Sequence, residues 1–256
     1  MTPLIQIENQ GGVRILRLNR AEKRNALTHE MYEGLCQALD EAAADASVRA
    51  LVFAGSETAF TAGNDIADFL SNPPQDDDAP VLRLLARLPR FHKPMIAAVC
   101  GPAVGIGTTL LLHCDLVVAA DDARFALPFV NLGLCAEGGS SYLLARRIGD
   151  ARAAEWLMLG DLMSAADAHS AGLVNRILTA ADVLPQALRW AQQLSAKPPA
   201  ALRATRALLR RTSRAEAEAA IKAEADVFRE LLQSDEAKEA FAAFLEKRPA
   251  DFGRFT

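Results

Sequence analysis

One stretch limits the folds open to this chain more than any other. It runs from Lys93 to Glu137 and reads KPMIAAVCGPAVGIGTTLLLHCDLVVAADDARFALPFVNLGLCAE. Met95 to Cys100 is an apolar run short enough to be a buried strand rather than a helix. Gly101-Pro102 ends it, because a Gly-Pro pair interrupts regular structure. Gly105-Ile106-Gly107 then leads directly into Thr108–Leu112, which reads as the first turn and body of a helix. A strand, a glycine-rich turn and a helix start leave unpaired backbone N–H groups facing a buried pocket. Such a turn suits an anion, including one that exists only in a transition state. Taken alone, the same residues fit more readily a plain strand–turn–helix connection whose glycines serve packing, since a lone G-x-G is common.

The rest of the composition narrows the class. A chain of 256 residues, 51% hydrophobic and 23% charged, is globular and large enough for one domain or a domain with an appendage. A net charge of −4 gives no electrostatic basis for nucleic-acid binding, although a local basic subsite for an anionic ligand stays open. Cys36, Cys100, Cys114 and Cys135 lie in or beside apolar segments without a C-x-x-C pair, and read as buried thiols in a reducing compartment. His29, His92, His113 and His169 have no ligand spacing, so no metal site is expected. With no signal-peptide pattern, no apolar run of membrane length and no terminal address signal, the expectation is a cytoplasmic protein without a membrane partner.

Along the chain, Leu4–Glu8 and Val13–Leu18 predict two strands joined as a hairpin. Thr28 caps a predicted helix from His29 to about Ala44, with Met31, Leu35, Leu39 and Ala42 on one face. Ala50–Ala54 reads as a short strand, and Ala59–Ile66 as a small-residue turn entering a helix. Asn72 to Pro80, with Asp76-Asp77-Asp78, reads as a solvated loop before a helix over Val81–Arg90. Strands follow at Leu116–Ala120 and around Phe125–Leu127. Gly138-Gly139-Ser140-Ser141 opens an expected helix to about Ile148, others cover Ala151–Leu159 and run from the Ser164 cap through His169, then a last strand follows at Leu173–Leu178. From about Leu184 all is helix: Leu184–Leu194, Pro199–Arg211, Ala215–Leu232 and Ala237–Lys247. The pattern is an α/β body followed by a helical tail.

Three blocks together, Asn19–Leu27, Ala59–Ile66 and Lys93–Gly139, resemble the enoyl-CoA hydratase/isomerase (crotonase) superfamily. Gly160–Ala165, Gly172–Val174 and Ala243–Arg248 fit its later pattern, so the resemblance spans nearly the whole chain. It implies a spiral of ββα units, with residues 1–195 as the core holding CoA and active site, and 196–256 as a helical oligomerisation region. It implies acyl-CoA thioester substrates, a homotrimer or a hexamer built as a dimer of trimers, and no cofactor apart from the coenzyme A of the substrate. Fatty-acid or aromatic degradation would supply such substrates. In this family two backbone N–H groups hold the thioester oxygen as it becomes an enolate. Carried over, they belong to Asn64 and Ile106.

Which carboxylates are present decides the expected chemistry. Hydratases of this family carry one glutamate on the helix after the glycine-rich turn and a second after the downstream proline. Here those positions are Thr109 and Phe129. Hydration needs a water activated and a proton delivered, so efficient hydratase activity is not expected. Glu137 is the one acid among small and apolar residues. Locally it reads either as a desolvated base with a raised pKa or as an acid favoured near a helix start. The block resembles the Δ3,Δ2-enoyl-CoA isomerase branch, whose single catalytic glutamate falls here. Ala136 departs from that pattern, where proline is usual. The resemblance implies that Glu137 moves a proton from C2 to C4 of a 3-enoyl-CoA while Asn64 and Ile106 hold the dienolate. It further implies CoA contacts from Arg24, Ala26, Ala62, Asp65, Ile66, Phe244 and Lys247. The alternatives are another reaction of the same family on a CoA thioester, such as hydration or hydrolysis, and a non-catalytic acyl-CoA-binding protein.

Overall fold

Ile5–Gln10 (β1) and Val13–Leu18 (β2) pair antiparallel in the computed structural model, which describes residues 3–255. Gly11-Gly12 makes the turn, and Ile7 stands opposite Leu16. His29–Ala44 (α1) starts where the Thr28 hydroxyl accepts from Met31 N–H at 3.3 Å. Its buried face includes Met31, Leu35, Leu39 and Ala42, as the apolar spacing predicts, and also Tyr32. Ala50–Ala54 (β3) follows, then Ile66–Ser71 (α2) and Pro80–Arg87 (α3).

The next strands and helices alternate between two sheets. Met95–Val99 (β4), Pro102–Val104 (β5) and Ile106–His113 (α4) form one strand–strand–helix unit. Leu116–Ala120 (β6) and Arg124–Ala126 (β7) begin another, reaching Ser140–Ile148 (α5). Asp150–Leu159 (α6), Met163–Ser164 (β8), Ala165–Ser170 (α7) and Arg176–Leu178 (β9) complete the body. The large sheet runs β1-β2-β3-β4-β6-β9, parallel everywhere except at β1/β2. Its central strands, ALVFA, MIAAV and LVVAA, are almost wholly buried, which is why they read as unbroken apolar runs. β5, β7 and β8 make a second, three-stranded sheet. Successive strands of each unit thus fall in different sheets, and the helix returns the chain to the first.

Ala180–Ser195 (α8) lies across β3, β4 and β6. Pro199–Leu209 (α9), Arg214–Leu232 (α10) and Asp235–Glu246 (α11) form the helical tail. Asp115 ties that tail to the body: its carboxylate accepts from Met95 N–H at 2.9 Å, Arg206 Nε at 2.7 Å and Arg210 Nη2 at 2.8 Å. Two departures from the sequence reading have plain causes. β5 and β8 are too short to show alternation. α8 begins at Ala180, four residues before the predicted start, with Pro185 inside it. A proline there removes one helical hydrogen bond, and the burial of Val183 and Ala187 on either side helps hold the turn.

Candidate active site

The small sheet brings two turns together. Thr61 bridges to Ala103, with Thr61 N–H on Pro102 O and Val104 N–H on Thr61 O, both at 3.0 Å. Leu27 bridges to Asn64, with Leu27 N–H on Gly63 O and Asp65 N–H on Leu27 O, both at 2.8 Å. The turn before α2 is therefore a short strand between the Arg20–Leu27 loop and β5. Asn25, wholly buried, fastens that loop through its side-chain amide to Ala59 O and Phe60 O. Gly107 lets the two turns approach: a Cβ there would lie 2.5 Å from Thr61 Cγ2. The amides around the expected donors are engaged, Gly63 N–H by Thr61 Oγ1 and Gly105 N–H by Ala126 O. Among the described residues, the Asn64 and Ile106 N–H groups have no such partner. Both residues line one cavity of about 350 Å³ with Glu137.

Glu137 is the one acid lining that cavity among the described residues. Thr109, on the first turns of α4 and wholly buried, donates its hydroxyl to Glu137 Oε1 at 2.5 Å. Burial pushes the Glu137 carboxyl up to about 8, against a lowering by the Thr109 hydroxyl and with a smaller push from the charge of Glu224. One turn beyond Thr109, His113 Nε2 lies 2.8 Å from Gly138 O; burial pulls His113 down to about 4, so a neutral ring donates there. Phe129 lines the cavity with its ring. The two hydratase positions thus hold a hydroxyl already bonded to Glu137 and a phenyl group.

The implied CoA contacts divide into two groups. Ala62, Ile66 and Phe244 line the cavity, and Phe244, 57% exposed, stands toward solvent. Arg24, Ala26, Asp65 and Lys247 lie outside its lining. Asp65 caps α2 and pairs with Arg20 Nη1 at 2.8 Å, while the same Arg20 nitrogen donates to Ala26 O. Arg24 and Lys247 are both left-handed and exposed. The tail contributes more than the sequence suggested. Phe228 of α10 and Phe241 of α11 line the cavity and pack against Phe69 of α2, with ring centroids 6.2 and 6.4 Å apart. Tyr32, His113 and Glu224 were also not singled out for the site. Two of them left a signal: His113 follows Thr109 by one helical turn, and Glu224 interrupts the apolar stripe Ala217, Ile221, Ala225, Phe228.

The sequence pattern of the enoyl-CoA hydratase/isomerase family matches residues 8–254. The chain belongs to the enoyl-CoA hydratase/isomerase family. The chain is 35% identical to the 2,3-dehydroadipyl-CoA hydratase of Escherichia coli, over 98% of this chain and 99% of that one. It is 32% identical to the enoyl-CoA delta isomerase 2 of Rattus norvegicus, over 96% of this chain and 64% of the longer rat protein. The structure of OdaA from Pseudomonas aeruginosa superimposes with a TM-score of 0.93 at 47% identity, covering 95% of this chain and 99% of that one. The fold is accordingly the crotonase fold, and the family's chemistry is enoyl-CoA hydratase/isomerase chemistry on CoA thioesters.

Proposed function

We propose that the protein is a Δ3,Δ2-enoyl-CoA isomerase with Glu137 as its single base. One observation carries this reading: Glu137 is the one acid lining the cavity among the described residues, while Thr109 and Phe129 occupy the positions where hydratases keep glutamates. A 1,3 proton shift needs only one group that takes a proton and gives it back. Ionised Glu137 removes a C2 proton from the 3-enoyl-CoA, and the electron pair spreads through the dienolate onto the thioester oxygen. The N–H groups of Asn64 and Ile106 stabilise that oxyanion. Glu137 then delivers the proton to C4, leaving the 2-enoyl-CoA. A carboxyl ionising at about 8 suits both halves, since at pH 7 the neutral form that returns the proton exceeds the ionised form by only about tenfold.

Coenzyme A enters as part of the substrate, and the reading uses no separate cofactor. Phe244, Ala62 and Ile66 at the cavity support its approach. Arg24, Ala26, Asp65 and Lys247 would meet the nucleotide end outside the cavity. Assembly as a homotrimer or a dimer of trimers belongs to the same proposal, and exposed Met158, Leu159, Leu162, Leu208 and Leu209 supply apolar surface for it.

Hydration is the second reading, favoured by the name of the E. coli relative. An absorbance assay separates the two. Formation of the conjugated thioester from a 3-enoyl-CoA by wild type, lost by about 10²–10⁴-fold in Glu137→Gln, supports the isomerase. Consumption of a 2-enoyl-CoA without the first reaction would establish hydration instead. A near-normal isomerase rate in Glu137→Gln would remove Glu137 from the mechanism.

A further inference from the structure

Within its own loop the backbone that presents Glu137 is held at one carbonyl, Glu137 O, which accepts from Ser140 Oγ at 2.7 Å and Ser140 N–H at 3.2 Å. Gly138 and Gly139 follow at φ +70° and +75°, both left-handed, and a Cβ on Gly138 would meet Thr109 Oγ1 at 2.9 Å. Helix α5 starts at this point without a capping side chain from its own N-cap residue, which is Gly139. The missing acceptor comes from α10, far along the chain. Glu224 Oε2 accepts from Gly139 N–H at 2.6 Å, and Oε1 accepts from Ser141 N–H at 2.8 Å and Ser141 Oγ at 2.5 Å. Glu224 is 7% exposed and has no cation in an ion pair with it among the described residues. Of the cations on or against α10, Arg90 and Arg214 pair with Glu218 and Arg229 with Asp77 and Asp226, while Lys222 is in no ion pair with Glu224 among the described residues.

A buried carboxylate without a counter-cation is expensive, and a serine or asparagine in the loop would cap a helix at far lower cost. Glu224 therefore calls for a role that a local cap could not fill. Its helix supplies one. Ile221, Ala225 and Phe228, on the same face of α10, line the space beside Glu137 and Gly138. The residue that grips the base loop lies on the helix that also supplies this wall.

We propose that Glu224 is a positioning residue for the base: it clamps the Gly139–Ser141 turn to α10 and so fixes the Glu137 carboxyl relative to the acyl wall. This rests on the reading of Glu137 as the single base. The clamp works against a second hold from α4, where Thr109 bonds the Glu137 carboxyl and His113 bonds Gly138 O. The two helices grip the loop from different elements of the fold, which an irregular, glycine-rich backbone needs in order to keep one geometry. The charge of Glu224 also favours the protonated form of Glu137. The other titratable groups facing the pair are Tyr32, whose phenol is pushed up by burial and then by Glu137, with Asp68 beyond it, and Cys135, pushed up by burial and then by Glu224. His113 is neutral.

The test compares wild type, Glu224→Gln and Ser141→Ala in the full-length protein, with Glu137→Gln as the spectroscopic reference. Turnover of a 3-enoyl-CoA gives kcat and KM, and carbon-13 NMR of labelled glutamate gives the Glu137 titration by difference from Glu137→Gln. A positioning role lowers kcat in Glu224→Gln about 10–100-fold with KM changed less than about threefold. It also moves the Glu137 titration down by roughly half a unit or more, since a charge leaves and water gains access. Ser141→Ala, which removes one of three bonds, falls between; should Glu224→Gln fail to fold, it carries the same readouts. An unchanged kcat and titration midpoint in the folded variant, with or without a lower Tm, overturns the proposal. A Glu137 titration that moves in a protein inactive on 3-enoyl-CoA upholds the clamp and overturns only the isomerase reading.

Discussion

The phenol of Tyr32, on α1, donates to the side-chain oxygen of Asn64, whose own backbone N–H is one of the two expected oxyanion donors. A helix that reads in sequence as a plain amphipathic element thus reaches the second turn of the site. Glu137 is the leading charge acting on that phenol, so the base, the tyrosine and the donor turn lie within one another's electrostatic reach.

Because the expected donor at Asn64 is its backbone N–H, its side chain matters only through its anchor. Tyr32→Phe and Asn64→Ala should each lower kcat about 10-fold, well short of the 10²–10³-fold that follows outright loss of an oxyanion donor. The double variant should lose little more than either single one, because both delete the same contact. Steady-state kinetics on the three variants checks this; additive losses would mean that the two side chains act separately.

The pH dependence follows from the state Glu137 must be in. Only its ionised form removes a proton, and its carboxyl ionises at about 8, so kcat/KM should rise with pH to a midpoint near that value. The Thr109 hydroxyl lowers this pKa, so Thr109→Ala should move the midpoint upward and Thr109→Ser should leave it close to wild type. A pH–rate profile of the three proteins decides the matter, and a downward move in Thr109→Ala would contradict it.

The same burial costs stability. In the unfolded chain the Glu137 carboxyl ionises near its ordinary 4.5, and in the folded chain at about 8. The folded state therefore holds the proton more tightly, so stability is full below that ordinary value and is lost as pH rises through the interval. At pH 7 the deficit is on the order of 3 kcal/mol. Glu137→Gln should be more stable than wild type by up to that amount at pH 7, and by much less at pH 4. Urea denaturation at the two pH values measures it.

Asp115 makes the opposite case. Asp115→Asn would leave Arg206, 8% exposed, and Arg210 without their carboxylate. The loss should be about 2–4 kcal/mol in urea denaturation, since removing one partner strands a buried charge. Ion pairs on the surface, such as Lys238 with Asp235, should yield no measurable loss in the same experiment.

Most of the fold was legible because its elements announce themselves locally. β2, α1, β3 and β6 begin and end where apolar period and the Thr28 cap put them. The glycine-rich turn and its helix were readable for the same reason, and so was the isolation of Glu137. What could not be read was contact at a distance. β5 has three residues and owes its existence to Thr61 and β7, and the Leu27–Asn64 bridge joins segments that carry no strand pattern. Tyr32 looks like an ordinary core aromatic, and Glu224 like an acid on the apolar stripe of α10 with no sign of what it meets. Only the packing of α1 and α10 turns them toward Asn64 and Gly139.

The placement of Phe228, Phe241 and Glu224 has a consequence for how the protein comes into being. The expected base and both expected oxyanion donors lie between Asn64 and Glu137, but the wall and the grip on the base loop come from α10 and α11, roughly a hundred residues further along the chain. A nascent chain therefore carries every reacting group long before it has a closed cavity. On the isomerase reading, competence waits for α10 and α11 to dock against the α/β body.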